Sequence, residues 1–301
     1  MRVQSTLLLF LLLISCTPEE SSQINLLTEL ELQILDSIHH HHGEFAVAFK
    51  NLSNPEQTIF INKGMEFHAA STMKTPVMIE VFKQEKLGSI TLDDSMLVTN
   101  KFRSIVDSSW FELDTADDSE SSLYQSIGQS TQVSALVEAM ITESSNLANN
   151  ILIDLLGAEN ITSSMKDLGA EGMKVLRGVE DTKAYQQGLS NTTDAYSLMV
   201  IYEKLANEEV VSTEASKAMI EILERQAFND IIPALLPEDV VVAHKTGSIT
   251  GVHHDSGIVY LPDGRKYVLV LLSKDLPDFE QGTRLLQNIS KMIYDFVVTS
   301  D

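Results

Sequence analysis

Ser71-Thr72-Met73-Lys74 is a stretch whose residue types and spacing could do covalent chemistry. Three residues apart on a helix, a serine and a lysine share one face. The Lys74 amine can then reach the Ser71 hydroxyl and, once its pKa is lowered, take the proton that a serine loses on becoming a nucleophile. Alone the pattern is loose, and an exposed serine near a solvated lysine would spell the same letters. Two more segments narrow the reading. Ser144-Ser145-Asn146 sets a second hydroxyl and a carboxamide after a helical stretch ending Met140-Ile141-Thr142-Glu143. His244-Lys245-Thr246-Gly247 sets a second lysine at the close of a strand-like run near the C-terminus.

The elements that must position these groups follow from periodicity. Residues 24–38 carry Leu27, Leu30, Ile34 and Ile38 near a 3.6 period, an amphipathic helix. Residues 45–50 and 58–61 are β-prone and separated by Asn51, Ser53, Asn54 and Pro55, which predicts a hairpin. A helix is expected to begin near Ser71, with Pro76 in its early part. Residues 87–236 read as mostly helical, punctuated by glycines. Strands are expected at 240–244, 257–261 and 267–272, the last two joined by the turn signal Pro262-Asp263-Gly264, before a closing helix over 280–298. The expected architecture is therefore an α/β domain, an antiparallel sheet flanked by helices, drawn from residues 24–86 and 237–301, with an all-α domain inserted at 87–236. Catalytic groups would gather at the seam.

Taken in order, the three motifs resemble the serine β-lactamase and penicillin-binding protein superfamily in its class A β-lactamase branch, over roughly residues 24–298. The resemblance implies an acyl-enzyme mechanism with no metal or organic cofactor. Ser71 would attack a β-lactam or amide carbonyl, Lys74 would help deprotonate it, and Ser144, next to Lys245, would relay a proton to the leaving nitrogen. Asn146 would hold the side-chain amide of the substrate, and Lys245 and Thr246 its carboxylate. Beyond Gly247, the backbone N–H of Ser248 would join that of Ser71 in an oxyanion hole. The implied substrate is a β-lactam or a cell-wall peptide. A D-alanyl-D-alanine peptidase and a penicillin- or peptidoglycan-binding lipoprotein without turnover remain alternatives.

The sequence departs from that family at three places. Ser145 stands where the middle motif commonly has aspartate, so a buried carboxylate is missing. The family's Glu-x-x-Leu-Asn loop is here Arg177-Gly178-Val179-Glu180-Asp181, which makes Glu180 the candidate deacylation base, or else a loop ion-pair partner of Arg177 or Lys183. No arginine follows the Lys-Thr-Gly motif, and Ser256 and His254 are candidate substitutes as donors. His244 could tune Lys245 or cap the strand end.

The chain has 301 residues, 21 basic and 43 acidic, for a formal charge of −22. That balance argues against a nucleic-acid partner, which a basic footprint must attract. One cysteine excludes an intrachain disulfide framework. It ends Leu13-Ile14-Ser15-Cys16, which resembles a bacterial lipobox after the apolar run at 7–14. Residues 1–15 are thus expected to be a lipoprotein signal peptide and 16–23 a tether, with lipidation at Cys16. This implies anchoring to a membrane on its periplasm-facing side, and the chain is expected to be a monomer. The histidines at 39–42 read as a solvated loop, since adjacent side chains cannot all turn to one metal ion without strain. The acidic stretch 114–122 reads likewise, with Trp110, Phe111 and Tyr124 in the core or at the cleft mouth.

Overall fold

The computed structural model describes residues 18–300. In chain order its elements are α1 (Pro18–His39), β1 (Glu44–Asn51), β2 (Thr58–Ile61), β3 (Phe67–His68), α2 (Lys74–Lys86), β4 (Ser95–Leu97), β5 (Phe102–Arg103), β6 (Trp110–Phe111), β7 (Ser130–Gln132), α3 (Val133–Thr142), α4 (Asn146–Leu156), α5 (Ala158–Asp167), α6 (Thr182–Gln186), β8 (Thr192–Thr193), α7 (Ala195–Ala206), α8 (Thr213–Leu223), β9 (Val241–Ile249), β10 (Val252–Tyr260), β11 (Lys266–Lys274) and α9 (Phe279–Thr299). The leader and Cys16 lie outside the described residues, and α1 already takes in Pro18 to Gln23 of the stretch expected as tether.

Five strands make one antiparallel sheet in the order β2-β1-β11-β10-β9. Its central strands are apolar on both faces, and the period of two sorts them into two cores. Phe45, Val47 and Phe49 with Tyr267, Leu269 and Leu271 pack on Leu30 and Ile34 of α1 and on Leu285, Leu286, Ile289 and Ile293 of α9. Each such side chain, buried, contributes about 1.5–3 kcal/mol of transfer free energy. Ala46 and Ala48 with Val268, Val270 and Leu272 face the helical lobe, meeting Val77, Val81, Leu136, Leu147, Ile151 and Leu198.

The sheet strands and their flanking helices come from both ends of the chain, and the stretch between them, expected to be all helix, also holds short strands. It carries the paired β4 and β7, the paired β5 and β6, and β8, which pairs back to β3. Each of these strands is two or three residues long, too short to leave a periodicity in sequence.

The helix α2 threads between both lobes, with Lys74 through Phe82 all buried. A 3-10 turn, Ala70–Met73, delivers Ser71 to its start. Pro76 sits in the first turn of α2, where a backbone N–H has no intrahelical partner to lose.

Candidate active site

Ser71 lines a cavity of about 710 Å³, within the size range of small-molecule sites. Ala70 before it takes a left-handed backbone (φ 45°) and its N–H donates to Nδ1 of His68 at 3.0 Å. A non-glycine residue held there stores strain, which the surrounding packing must pin. The edge strand β9 passes close against this turn. A Cβ on Gly247 would lie 3.1 Å from the backbone nitrogens of both Ser71 and Thr72. Glycine lets the two backbones come together without either giving way, which sets the N–H groups of the turn beside the strand that carries Ser248.

Lys74 is fully buried, and its Nζ lies 3.0 Å from Ser71 Oγ, 2.6 Å from the Ser144 carbonyl oxygen, 3.2 Å from Ser144 Oγ and 2.9 Å from Asn146 Oδ1. Desolvation brings its pKa down to about 7, while the carboxylates of Asp118 and Glu180 hold it from falling further. Ser144, like Ala70, has a left-handed backbone (φ 58°), and this turns its carbonyl and hydroxyl together onto the amine.

The carboxylate that Ser145 lacks comes from elsewhere. Ser145 caps α4, its Oγ accepting from Ala148 N at 3.2 Å. Asp118 accepts from Asn146 N at 2.9 and 3.0 Å, from Leu147 N at 3.0 Å and from the Tyr124 hydroxyl at 2.9 Å. The acidic stretch 114–122 is therefore not merely solvated: Asp118 satisfies the first-turn donors of α4 and Ser119 donates to the Glu143 carbonyl at 2.7 Å. An aspartate 26 residues upstream of the motif, in a run of acidic residues, carries no spacing signal. Tyr124 reaches the site through Asp118, whereas Trp110 lies under Arg103 and Lys101 and Phe111 packs on Phe102.

Glu180 does enter the cavity. Its Oε1 accepts from Asn146 Nδ2 at 3.3 Å and its Oε2 from Asp114 N at 3.2 Å. Asn146 thereby bridges Lys74 and Glu180, its oxygen to one and its nitrogen to the other. Half burial, opposed by these hydrogen bonds and helped by the charges of Asp117 and Asp118, raises the Glu180 pKa. The loop is pinned on both sides: Asn150 clasps Val179 N (2.7 Å) and Val179 O (3.0 Å), and Asp181 accepts from Ser104 Oγ and Ile105 N, both at 2.9 Å. A Cβ on Gly178 would strike Asn150 Oδ1 at 2.5 Å, so the clasp needs glycine there. The ion-pair alternative for Glu180 does not hold. Lys183 pairs with Asp107 at 2.7 Å, and Arg177 donates to the carbonyls of Leu189 and Gly178.

On the far wall, Thr246 and Ser248 line the cavity, but Lys245 does not. It is fully buried behind them with Nζ 3.2 Å from the Thr246 carbonyl, and burial together with the nearby charge of Lys74 lowers its pKa well below the usual lysine range. Ser256 and His254, expected as substitute donors, are also fully buried. Ser256 Oγ donates to the Lys245 carbonyl at 3.3 Å, and His254 spans from the His68 carbonyl to Ser273 N. His244 neither caps the strand nor touches Lys245 through its ring; it bonds Asp255 at 2.8 Å and Asn229 at 3.2 Å. Sequence reading missed Phe228, Asp230, His253 and Phe279, which complete this wall from three separate segments. The 39–42 histidines bond only to α1, at the Asp36 and Ser37 carbonyls, and no group of metal-ligating residues occurs among the described residues.

A profile of the beta-lactamase enzyme family matches residues 29–297. The chain belongs to that family. It is 24% identical to the extended-spectrum beta-lactamase PER-1 of Pseudomonas aeruginosa over 255 residues, covering 80% of this chain and 78% of PER-1. Among solved structures, PBP-A is 27% identical with a TM-score of 0.77, covering 90% of this chain and 96% of that one. A leucine-to-glutamate mutant of PBP-A, an acyl-enzyme complex with penicillin G, is 25% identical with a TM-score of 0.76, covering 91% and 97%.

Proposed function

We propose that the chain is a serine hydrolase that opens β-lactam rings through an acyl-enzyme on Ser71. The observation that carries this is the Lys74 amine, buried, 3.0 Å from Ser71 Oγ and poised to lose its proton near pH 7. In the neutral amine, two hydrogens serve the Ser144 carbonyl and Asn146 Oδ1, which only accept, and the lone pair is left for the Ser71 proton. Ser71 Oγ bonds to the lactam carbonyl carbon, and negative charge collects on the carbonyl oxygen against the N–H groups of Ser71 and Ser248. The C–N bond then breaks. The ring nitrogen takes the Ser144 hydroxyl proton, which Lys74 restores from 3.2 Å. Glu180 next takes a proton from water, the water oxygen displaces Ser71 from the ester, and the ring-opened acid leaves with Ser71 reprotonated.

One observation favours a second reading, a penicillin-binding protein or D-alanyl-D-alanine peptidase that parts slowly from β-lactams. The loop that carries Glu180 lacks the Leu-Asn continuation expected after it, and each carboxylate oxygen already accepts one hydrogen bond, so a deacylating water is held only by the remaining lone pairs of Glu180. Similarity to PBP-A supports the same reading. Intact-mass spectrometry of the full chain with penicillin G separates the two. A transient adduct that becomes long-lived in Glu180→Gln is expected for turnover, and an equally persistent adduct in both proteins would replace hydrolysis by capture.

The proposal extends to placement: cleavage before Cys16, lipidation of its thiol, and a monomer facing the periplasm. The apolar run at 7–14 and Leu13-Ile14-Ser15-Cys16 support it. Cys16→Ser is expected to move the protein from the membrane fraction to the soluble one.

A further inference from the structure

The cavity wall beside the oxyanion hole carries a ring that none of the acylation steps uses, that of His253. Thr246, Ser248 and His253 share one face of the sheet there, since Ser248 is the cross-strand partner of His253 and Thr246 lies two residues along β9. The His253 ring is buried and stacked on Phe279, with centroids 4.4 Å apart and an interplanar angle of 20°. Its Nδ1 is 2.8 Å from Thr283 Oγ1. That hydroxyl gives its one proton to the Phe279 carbonyl at 2.9 Å, so toward the ring it accepts, and Nδ1 carries the hydrogen. The other nitrogen, Nε2, lies 3.4 Å from a carboxylate oxygen of Asp230, a side chain half in solvent. In a neutral ring Nε2 would turn a bare lone pair to that carboxylate, and a proton there makes the contact attractive.

The charged groups around the ring are few. Asp230 faces it from the loop before β9, and Asp255 and His254 are its neighbours on β10. The Ser273 hydroxyl of β11 bonds the His253 backbone, and α9 offers the Thr283 hydroxyl to the ring. Burial lowers the His253 pKa and the two aspartates oppose that. The cavity is also lined by Asp117, Glu180 and Asp181, which repel an anion, and the Arg177 guanidinium is engaged by two carbonyls. Lys245 is shut behind the wall.

We propose that His253 determines specificity for the anionic end of the substrate: its Nε2–H receives the carboxylate of a β-lactam in place of Asp230, beside the hydroxyls of Thr246 and Ser248. Where the ring starts neutral, binding takes one proton from solvent, so affinity for an anionic substrate falls as pH rises through the imidazole range. This rests on the chain acting on β-lactams.

The test uses the full chain carrying Ser71→Ala, to stop acylation, and compares the Kd of penicillin G with that of its methyl ester at pH about 5.5 and about 8. Penicillin G is expected to bind about tenfold more weakly at the higher pH and the ester with far less change, His253→Gln cutting the difference to what the loss of the Lys74 charge near pH about 7 leaves. Asp230→Asn, at an exposed position that does not threaten folding, is expected to move the midpoint to lower pH by removing a charge that favours the imidazolium. An ester with the same pH dependence, an unchanged dependence in His253→Gln, or an unmoved midpoint in Asp230→Asn would overturn the proposal. No binding of either compound, with no penicillin adduct on the unmutated chain, would overturn the β-lactam reading as well. An adduct alongside pH-independent binding would overturn the role of His253 alone.

Discussion

Changing pH acts directly on Lys74, because its burial among Ser71, Ser144 and Asn146 sets its pKa at about 7 rather than in the ordinary lysine range. If the neutral amine takes the Ser71 proton, acylation at saturating substrate follows the neutral fraction. That fraction is about 3% at pH about 5.5 and about 97% at pH about 8.5, a rise of roughly thirtyfold with its midpoint near 7. Saturation keeps the pH dependence of binding out of the rate. Stopped-flow single turnovers with a chromogenic cephalosporin report the ring-opening step itself. Lys74→Arg, whose guanidinium does not give up its proton, is expected to lower that step by about 10²–10⁴ and to erase the limb. A rate constant across this range, or a limb rising only near the pKa of a solvated lysine, would refute the assignment of Lys74 as the base.

Three further outcomes follow from the same geometry. Gly247→Ala pushes a methyl to 3.1 Å from the Ser71 and Thr72 nitrogens, so the N–H of Ser71 is displaced and acylation is expected to fall by about 10²–10³, measured by adduct formation; an unchanged rate would remove the oxyanion role of that N–H. Asp118→Ala strands the Asn146 and Leu147 N–H groups and the Tyr124 hydroxyl, and urea melts are expected to show a loss of about 1–3 kcal/mol together with slower acylation, whereas undiminished stability would make Asp118 a bystander. Burial lowers the His254 pKa to about 4 and its two ring nitrogens are already satisfied in the neutral form, so the unfolded chain binds its proton first as pH falls. Stability from this group is complete above about 6.5 and is lost on acidification to about 4, by about 3 kcal/mol; His254→Asn should lose that part of the pH dependence in melts at both ends of the window, and an identical dependence would contradict it.

The groups that touch Ser71 were legible because each lies on an element with its own local signature. Ser71 and Lys74 sit at a helix start, Ser144 in the link between two amphipathic helices with Asn146 opening the second, and Thr246 to Ser248 at the end of an apolar strand. The two cores follow from a local alternation, Phe45, Val47 and Phe49 against Ala46 and Ala48, in a run that the sequence analysis reads only as β-prone. What supports those groups was not legible. Asp118 reaches α4 from a loop in which its neighbours are also acidic, and nothing in the spacing marks it as the cap. His253 and His254 are adjacent and alike in sequence, yet strand pleating sends one to the cavity and the other inward to His68 and Ser273. Lys245 is of the right type at the right place, but its exposure depends on how tightly β9 seats against the Ser71 turn.

The nucleophilic role of Ser71 is tested most directly by incubating the full chain and its Ser71→Ala variant with penicillin G, quenching in acid, and weighing the intact protein and its proteolytic peptides. One penicilloyl group is expected on the peptide that contains Ser71, and none on the variant. An adduct that persists in Ser71→Ala, or one that maps to another residue, would contradict the mechanism at its first step.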